Sequence, residues 1–181
     1  MSDDLVKFAI PAEFVTARVL VTPGELVHGY RHGWLSDRAV VDVALATFEA
    51  GASLPSAVEE LAFLLSDDLG RVPALVEDLA RSSVDEQDPG EVWLFLALAW
   101  VCEHCSEYLE PLQVVEMLYA DFNYPEEIEG LVRFMPRPQG AAGGYGAIEQ
   151  RWEDFVSRKS AQYRARGSQP ALARHNERGH L

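Results

Sequence analysis

The sequence lacks the features that mark secreted, membrane-spanning and disulfide-stabilised proteins. Its 181 residues include only two cysteines, Cys102 and Cys105, and its longest apolar run, Val92–Cys102, has eleven residues. A membrane-spanning helix needs about 20 apolar residues, and a disulfide framework needs more cysteines than this. The opening residues Met1–Asp4 are acidic, whereas a secretory signal begins with basic and apolar segments. We therefore expect a cytoplasmic protein in a reducing compartment, with no membrane contact.

Positive charge is scarce in most of the chain. Residues 1–155 contain nine Lys and Arg against 28 Asp and Glu, a net charge of −19, whereas residues 156–181 carry +5 and the whole chain −14. An acidic body repels the phosphates of nucleic acids and attracts cationic proteins. We therefore expect no nucleic-acid partner. The charge serves either solubility alone or the selection of a basic protein partner.

Complete catalytic and cofactor motifs are also missing. There is no G-x-S-x-G nucleophile turn, and the run Gly143–Gly146 neither matches a G-x-x-x-x-G-K phosphate loop nor follows a predicted strand. Ser106 near His104 is adjacency in the sequence without a third partner. We therefore expect no cofactor, and an enzyme is the less favoured class.

Helix start and stop signals recur along the chain and predict an all-α fold. The run Thr22-Pro23-Gly24-Glu25 combines a capping hydroxyl, a first-turn proline and an acid at the third position, and predicts a helix over 23–32. Asp88–Glu91 repeats this pattern ahead of Val92–Val101, which is apolar on every side and should form the central helix. Further helices are predicted from Ser36 to Gly51, over 56–66 and 71–82, and after Pro111 and Pro125.

The C-terminal part should contain one more helix and a tail. Residues 136–146 are rich in glycine and proline, which is typical of a flexible connector, and residues 147–162 have the apolar spacing of a docking helix. Residues 163–181 are polar and basic and predict a disordered tail. We expect a single domain over 1–162, a globular bundle of about seven or eight helices around the central one. Residues 14–21 could instead form a strand, which would have no partner.

Two pairs of side chains have the spacing of metal ligands. His28 and His32 are four residues apart, and Cys102 and Cys105 lie three apart on one helical face. Together they could complete a tetrahedral zinc site, if the fold brings them together. The alternatives are partly exposed histidines beside Trp34 and small cysteines packed in a core helix.

A cluster of acids follows Tyr119. Asp121, Glu126, Glu127 and Glu129 lie within nine residues and could bind a divalent cation or act as an acid–base pair. In the alternative interpretation, Asn123 or Tyr124 caps a helix that begins near Pro125. The acids then complement the helix dipole, and Glu129 pairs with Arg133.

Five parts of the sequence are distinctive when taken together: His32-Gly33-Trp34-Leu35, Glu91-Val92-Trp93-Leu94, Tyr119–Glu126, Val132–Pro136 and Trp152. They resemble bacterial domain-of-unknown-function family 2247, over about residues 11–156. Asn123 stands where the resemblance leads us to expect an acid, which argues against a metal there. Because the family is uncharacterised, the resemblance implies no catalytic residues. By analogy, small acidic bacterial proteins of this kind include immunity proteins for secreted toxins.

We therefore predict a non-enzymatic acidic binding protein, of which an immunity-type inhibitor of a basic protein is one form. The predicted partner contacts are Trp34, Glu59, Glu60, Asp67, Asp68, Asp121, Tyr124, Glu126, Glu127 and Glu129, with the two aromatic residues contributing if they are exposed. The alternative is a metal-dependent hydrolase that uses His28 and His32, Cys102 and Cys105, or the Asp121 cluster. A third hypothesis is a structural protein that self-associates through Trp152 or Phe155.

Overall fold

The computed structural model describes residues 5–51, 54–83, 88–136 and 139–167, and within them the chain forms helices and loops but no strand. The predicted all-α fold is confirmed. The eight α-helices in these residues are α1 (Ala12–Thr16), α2 (Pro23–Arg31), α3 (Asp37–Glu49), α4 (Ser56–Ala62), α5 (Val72–Ser82), α6 (Gly90–Glu103), α7 (Pro111–Asp121) and α8 (Tyr145–Gly167). Three short 3₁₀ helices accompany them: Ser66–Arg71, Cys105–Glu107 and Glu126–Leu131.

Helix α6 is the centre of the domain, as its sequence predicts. Its residues are apolar around the whole helix, and all but a few of them are buried, including Trp93, Phe95 and Leu98. A helix without a polar face cannot lie at a surface, so other helices must cover it. Helices α2, α7 and α8 contact it. None of the helices in the described residues is long and apolar enough to cross a membrane.

The predicted capping residues act as expected at two helix starts. The Glu25 amide donates to Thr22 Oγ1 at 3.3 Å and the Thr22 amide donates to Glu25 Oε2 at 2.9 Å, which is the reciprocal capping box. The Ala39 amide donates to Ser36 Oγ at 3.2 Å. Local sequence therefore determines where α2 and α3 begin.

Trp93 packs directly on the backbone of α2. Its Nε1 donates to the Glu25 carbonyl at 2.7 Å. The indole lies so close to Gly29 that a Cβ built on this glycine would be 2.0 Å from Trp93 Cζ2. Gly29 therefore permits close contact between α2 and α6, rather than fraying the end of α2.

Helix α8 is longer than predicted and changes the expected domain boundary. The Tyr163 ring stacks on Phe95 with centroids 5.1 Å apart, and Arg166 binds the Glu25 carboxylate at 2.6 Å. Residues 163–167, which we predicted to begin the disordered tail, are thus part of the docked helix, because both side chains find partners distant in sequence. The remainder of the predicted tail, 168–181, lies outside the described residues.

Three local predictions also need correction. Residues 14–21 contain the end of α1 followed by a loop, so the alternative strand is not formed. The helix predicted over 56–66 ends at Ala62, and the helix predicted after Pro125 is the 3₁₀ helix Glu126–Leu131. The connector ends at Gly144, since α8 begins at Tyr145.

We predict that Gly29→Ala destabilises the protein by about 1–3 kcal/mol, the usual effect of inserting an extra carbon into a packed core. The added methyl would overlap the Trp93 ring. The matched control is Gly70→Ala, because a Cβ at Gly70 meets no atom within 4 Å. Urea unfolding of both variants measures the effect, and equal stabilities would contradict the close contact.

Candidate functional site

The histidines and cysteines predicted as metal ligands lie towards opposite ends of α6. The His28 and His32 rings stack with centroids 4.2 Å apart and line a cavity of about 320 Å³. This cavity adjoins the start of α6, because a Cβ at Gly90 would lie 3.6 Å from His28 Nε2. Cys102 follows twelve residues later, about 18 Å along the axis at the rise of an α-helix. The zinc site built from both pairs is therefore wrong, and the described residues contain no group of three His, Cys, Asp or Glu that could hold a metal ion.

The cysteines and the adjacent histidine lack the environment of reactive side chains. Both cysteines are free, and burial of Cys102, followed by its proximity to Glu153, raises the pKa of its thiol. A raised pKa keeps the thiol protonated at neutral pH, whereas a nucleophile or a zinc ligand must be a thiolate. His104 stacks on Trp100 with centroids 3.9 Å apart. Packing therefore explains these residues.

Asp121 fastens the N-terminal segment to α7. The Leu5 amide donates to its Oδ1 at 2.7 Å, and the Val6 amide donates to its Oδ2 at 2.9 Å. Farther along this segment, the Ile10 amide donates to the Trp34 carbonyl at 2.8 Å. Both carboxylate oxygens of Asp121 are thus engaged within the chain. The predicted roles of Asp121 as a metal ligand, general acid or partner contact are replaced by a structural one.

The run Tyr119–Pro125 ends α7 rather than starting the next helix. The Tyr124 amide donates to the Tyr119 carbonyl at 2.8 Å and the Asn123 amide to the Ala120 carbonyl at 3.1 Å. These are the two bonds of a Schellman motif, in which Asn123 adopts the left-handed conformation, with φ 60°. The prediction that Asn123 or Tyr124 caps the following helix is wrong, because no side chain caps it.

The two aromatic residues predicted as partner contacts differ in accessibility. Trp34 is 2% exposed and packs against Phe8 and Phe122, and its indole nitrogen has no hydrogen-bond partner within the described part of the chain. It directly follows Gly33, whose left-handed backbone turns the chain into the core. Trp34 is therefore not a partner contact. Tyr124 is 60% exposed and remains available.

The acids predicted as partner contacts form two groups on different elements. The C-terminal acidic group consists of Glu126, Glu127 and Glu129. Cations of α8 lie close to it: Glu127 Oε2 is 2.8 Å from Lys159 Nζ, and the group shares a cleft of about 580 Å³ with Arg151 and Arg158. Most of its negative charge is therefore compensated within the protein.

The N-terminal acidic group has little compensation. It consists of Glu59, Glu60, Asp67 and Asp68, all exposed, on α4 and the 3₁₀ helix Ser66–Arg71. Arg71 Nη2 lies 3.2 Å from Glu60 Oε2, and both side chains are more than half exposed. Water screens such a surface pair, which holds its geometry weakly. This group therefore presents concentrated negative charge to solvent.

Exposed apolar side chains lie within the N-terminal acidic group. Phe63 is 61% and Leu65 69% exposed, and the Phe63 ring contacts the Phe48 ring edge-to-face with centroids 5.0 Å apart. We call Phe48, Phe63, Leu65 and the N-terminal acidic group together the acidic–apolar patch. The predicted contacts had omitted its three apolar residues.

The reason for the omission lies in where α4 ends. A helix continuing to residue 66 would place Leu65 on the buried face with Val58 and Leu61, one and two turns earlier. Because α4 ends at Ala62, Leu64 enters the core instead and Leu65 is turned outward. Helix periodicity alone could not identify this surface.

Arg133 binds Glu116 rather than the predicted Glu129. Arg133 Nε donates to Glu116 Oε1 at 2.7 Å and Nη2 donates to Oε2 at 3.0 Å, with both side chains largely buried. The hydrogen bonds from Arg133 are the main reason that the pKa of the Glu116 carboxyl is lowered. This ion pair stabilises the segment between α7 and α8.

We predict that Asp121→Ala speeds amide hydrogen exchange at Leu5 and Val6. Hydrogen bonds to charged groups contribute about 1.5–3 kcal/mol, so we expect a rise of roughly tenfold or more. The control is Asp42→Ala, because Asp42 pairs at the surface with Arg38 on its own helix. Unchanged exchange in the Asp121 variant would show that the N-terminal segment is held by other contacts.

We also predict that Glu116→Gln lowers the free energy of unfolding by about 2 kcal/mol at pH 7, as expected for a charge-assisted hydrogen bond. A carboxyl with a lowered folded pKa stabilises the protein above its unfolded pKa of about 4.3, and the stabilisation is lost as the pH falls through the folded value. The difference between the wild type and the variant should therefore shrink below about pH 4.

Urea unfolding across this pH range measures the difference. The control is Glu77→Gln, whose pair with Arg31 is more than half exposed on both sides and should contribute little. A difference that stays constant down to pH 3 would contradict the assignment to the Glu116 carboxylate.

Comparison with known proteins identifies a family. No curated protein and no solved structure matches the chain. The family model described as an uncharacterised protein conserved in bacteria, DUF2247, matches residues 12–160, from the start of α1 into α8. Since the match covers most of the chain and confirms the resemblance seen in the sequence, the protein belongs to family DUF2247.

Proposed function

We propose that this protein is a non-enzymatic binding protein whose N-terminal acidic group engages a basic protein partner. The observation that carries the proposal is the exposure of four acids, Glu59, Glu60, Asp67 and Asp68, with Arg71 as the nearby cation that pairs with them. Concentrated charge of one sign raises the association rate with partners of opposite charge. It also disfavours anionic partners such as nucleic acids.

The contrast between the two acidic groups supports this location. The C-terminal acidic group lies beside Arg151, Arg158 and Lys159 of α8, so a basic partner would have to compete with cations already in place. The N-terminal acidic group lies on α4 and the following 3₁₀ helix, which pack against α3 and α5. A partner can therefore approach it without displacing an internal ion pair of comparable burial.

The chemistry found elsewhere in the molecule favours binding over catalysis. Each set of residues considered for a hydrolase has a structural explanation: Asp121 binds backbone amides, and Cys102 has a raised thiol pKa. An immunity-type inhibitor is one form of the proposed function. Such a protein would cover a basic active surface of a toxin, and an acidic binding face suits that role.

We predict that Asp67→Lys/Asp68→Lys slows association with the basic partner by at least about tenfold at low salt, the lower end of electrostatic steering effects. The difference should shrink at high salt, because ions screen exposed charges. The partner is obtained by affinity capture from the native bacterium and identified by mass spectrometry. Stopped-flow or surface-based kinetics with the purified partner then give the rates.

The matched control is Glu126→Lys/Glu127→Lys, which also reverses two consecutive acids in the first turn of a 3₁₀ helix. Circular dichroism confirms that both variants are folded. Equal slowing by both pairs would show that only total charge matters. Association that is insensitive to salt and to the Asp67 and Asp68 changes would refute the proposed function.

A further inference from the structure

We infer that Phe63 and Leu65 form an apolar anchor site within the N-terminal acidic group, which takes an amphipathic basic segment of a partner protein. Apolar side chains of that segment would cover Phe63 and Leu65, and its Lys or Arg residues would meet the surrounding acids. This inference rests on the proposed function and specifies the chemistry of the partner.

The first step is that these apolar residues are grouped. A single exposed apolar side chain such as Leu109, which is 99% exposed, is ordinary in a soluble protein. Phe63 and Leu65 are instead separated by a buried Leu64, and Phe63 contacts the partly exposed Phe48 of α3. Grouped apolar side chains with a polar rim are characteristic of protein interaction sites.

The second step is that the local structure holds these side chains at the surface. The Asp68 amide donates to the Leu65 carbonyl at 2.9 Å, and Arg38 of α3 donates to Ser66 Oγ at 3.3 Å. The turn is thereby tied to itself and to α3. An interface that exists before binding loses less conformational freedom when the partner docks.

The third step is charge complementarity, which selects the occupant. Glu59 and Glu60 precede the anchor residues, and Asp67 and Asp68 follow them, so acids flank the apolar centre on both sides along the chain. A second copy of this protein would bring the same acids opposite one another in a two-fold contact. Each chain also carries a net charge of −14, which opposes self-association. A basic amphipathic segment satisfies both the charge and the apolar surface.

Two synthetic peptides of equal length and equal charge test the inference. One consists of Lys and Leu arranged as an amphipathic helix, and in the other each Leu is replaced by Gln. We expect the wild type to bind the Lys–Leu peptide at least about tenfold more tightly, since a buried apolar anchor commonly contributes this much or more. Fluorescence anisotropy with labelled peptides measures both affinities.

Variants assign the preference to the site. Phe63→Ser should abolish the preference for the Lys–Leu peptide, and Leu65→Ser provides an independent second variant. Leu109→Ser is the matched control, because it removes an exposed leucine outside the acidic–apolar patch. Asp67→Lys/Asp68→Lys should weaken binding of both peptides. Thermal unfolding verifies that each variant is folded.

The possible failures are distinguishable. If the wild type binds both peptides equally, or if Phe63→Ser and Leu65→Ser retain the preference, the anchor site is wrong and the proposed function stands. If neither peptide binds, the proposed function fails as well. A concentration-dependent dimer in sedimentation velocity that Phe63→Ser abolishes would overturn the inference in favour of a second copy as the occupant.

Discussion

The packing of Trp93 against α2 is the contact on which the long-range arrangement of the helices depends. Its indole fits because Gly29 has no side chain, and its N–H donates to the Glu25 carbonyl. The Glu25 carboxylate accepts bonds from the Thr22 amide and the Arg166 guanidinium. One residue of α2 therefore connects a helix start, the central helix and the end of α8. The protein tolerates burial of this carboxylate because both of its oxygens have charged or backbone donors.

The same use of cations explains why negative charge is concentrated on one surface. Arg166 and Lys159 attach α8 to α2 and to the C-terminal acidic group, and Arg133 binds Glu116 of α7. Arg18 forms a similar link, with its Nη2 2.6 Å from Glu103. These cations join elements that are distant in sequence, so they are positioned by the fold rather than by partner recognition. The N-terminal acidic group retains its charge since its neighbouring cation is the exposed Arg71.

How much the sequence reveals depends on whether a feature is local. The capping box at Thr22, the Ser36 cap and the uniformly apolar α6 are set by neighbouring residues, and they were predicted correctly. The role of Asp121 and the burial of Tyr163 depend on partners more than 60 positions away, which helical periodicity cannot reveal. The outward turn of Leu65 depends on α4 ending at Ala62, where no glycine or proline marks the end. The fold class was therefore predictable, but the apolar half of the binding surface was not.

The pairing of Arg166 with Glu25 has a consequence for biosynthesis. The two residues are 141 positions apart, so Arg166 leaves the ribosome long after the start of α2 has been made. Until then the Glu25 carboxylate lacks its guanidinium, and α6 lacks the stacking of Tyr163 on Phe95. Contacts of such high sequence separation form late, because a long loop must first be closed. Translation of nearly the whole chain must therefore precede completion of the native core.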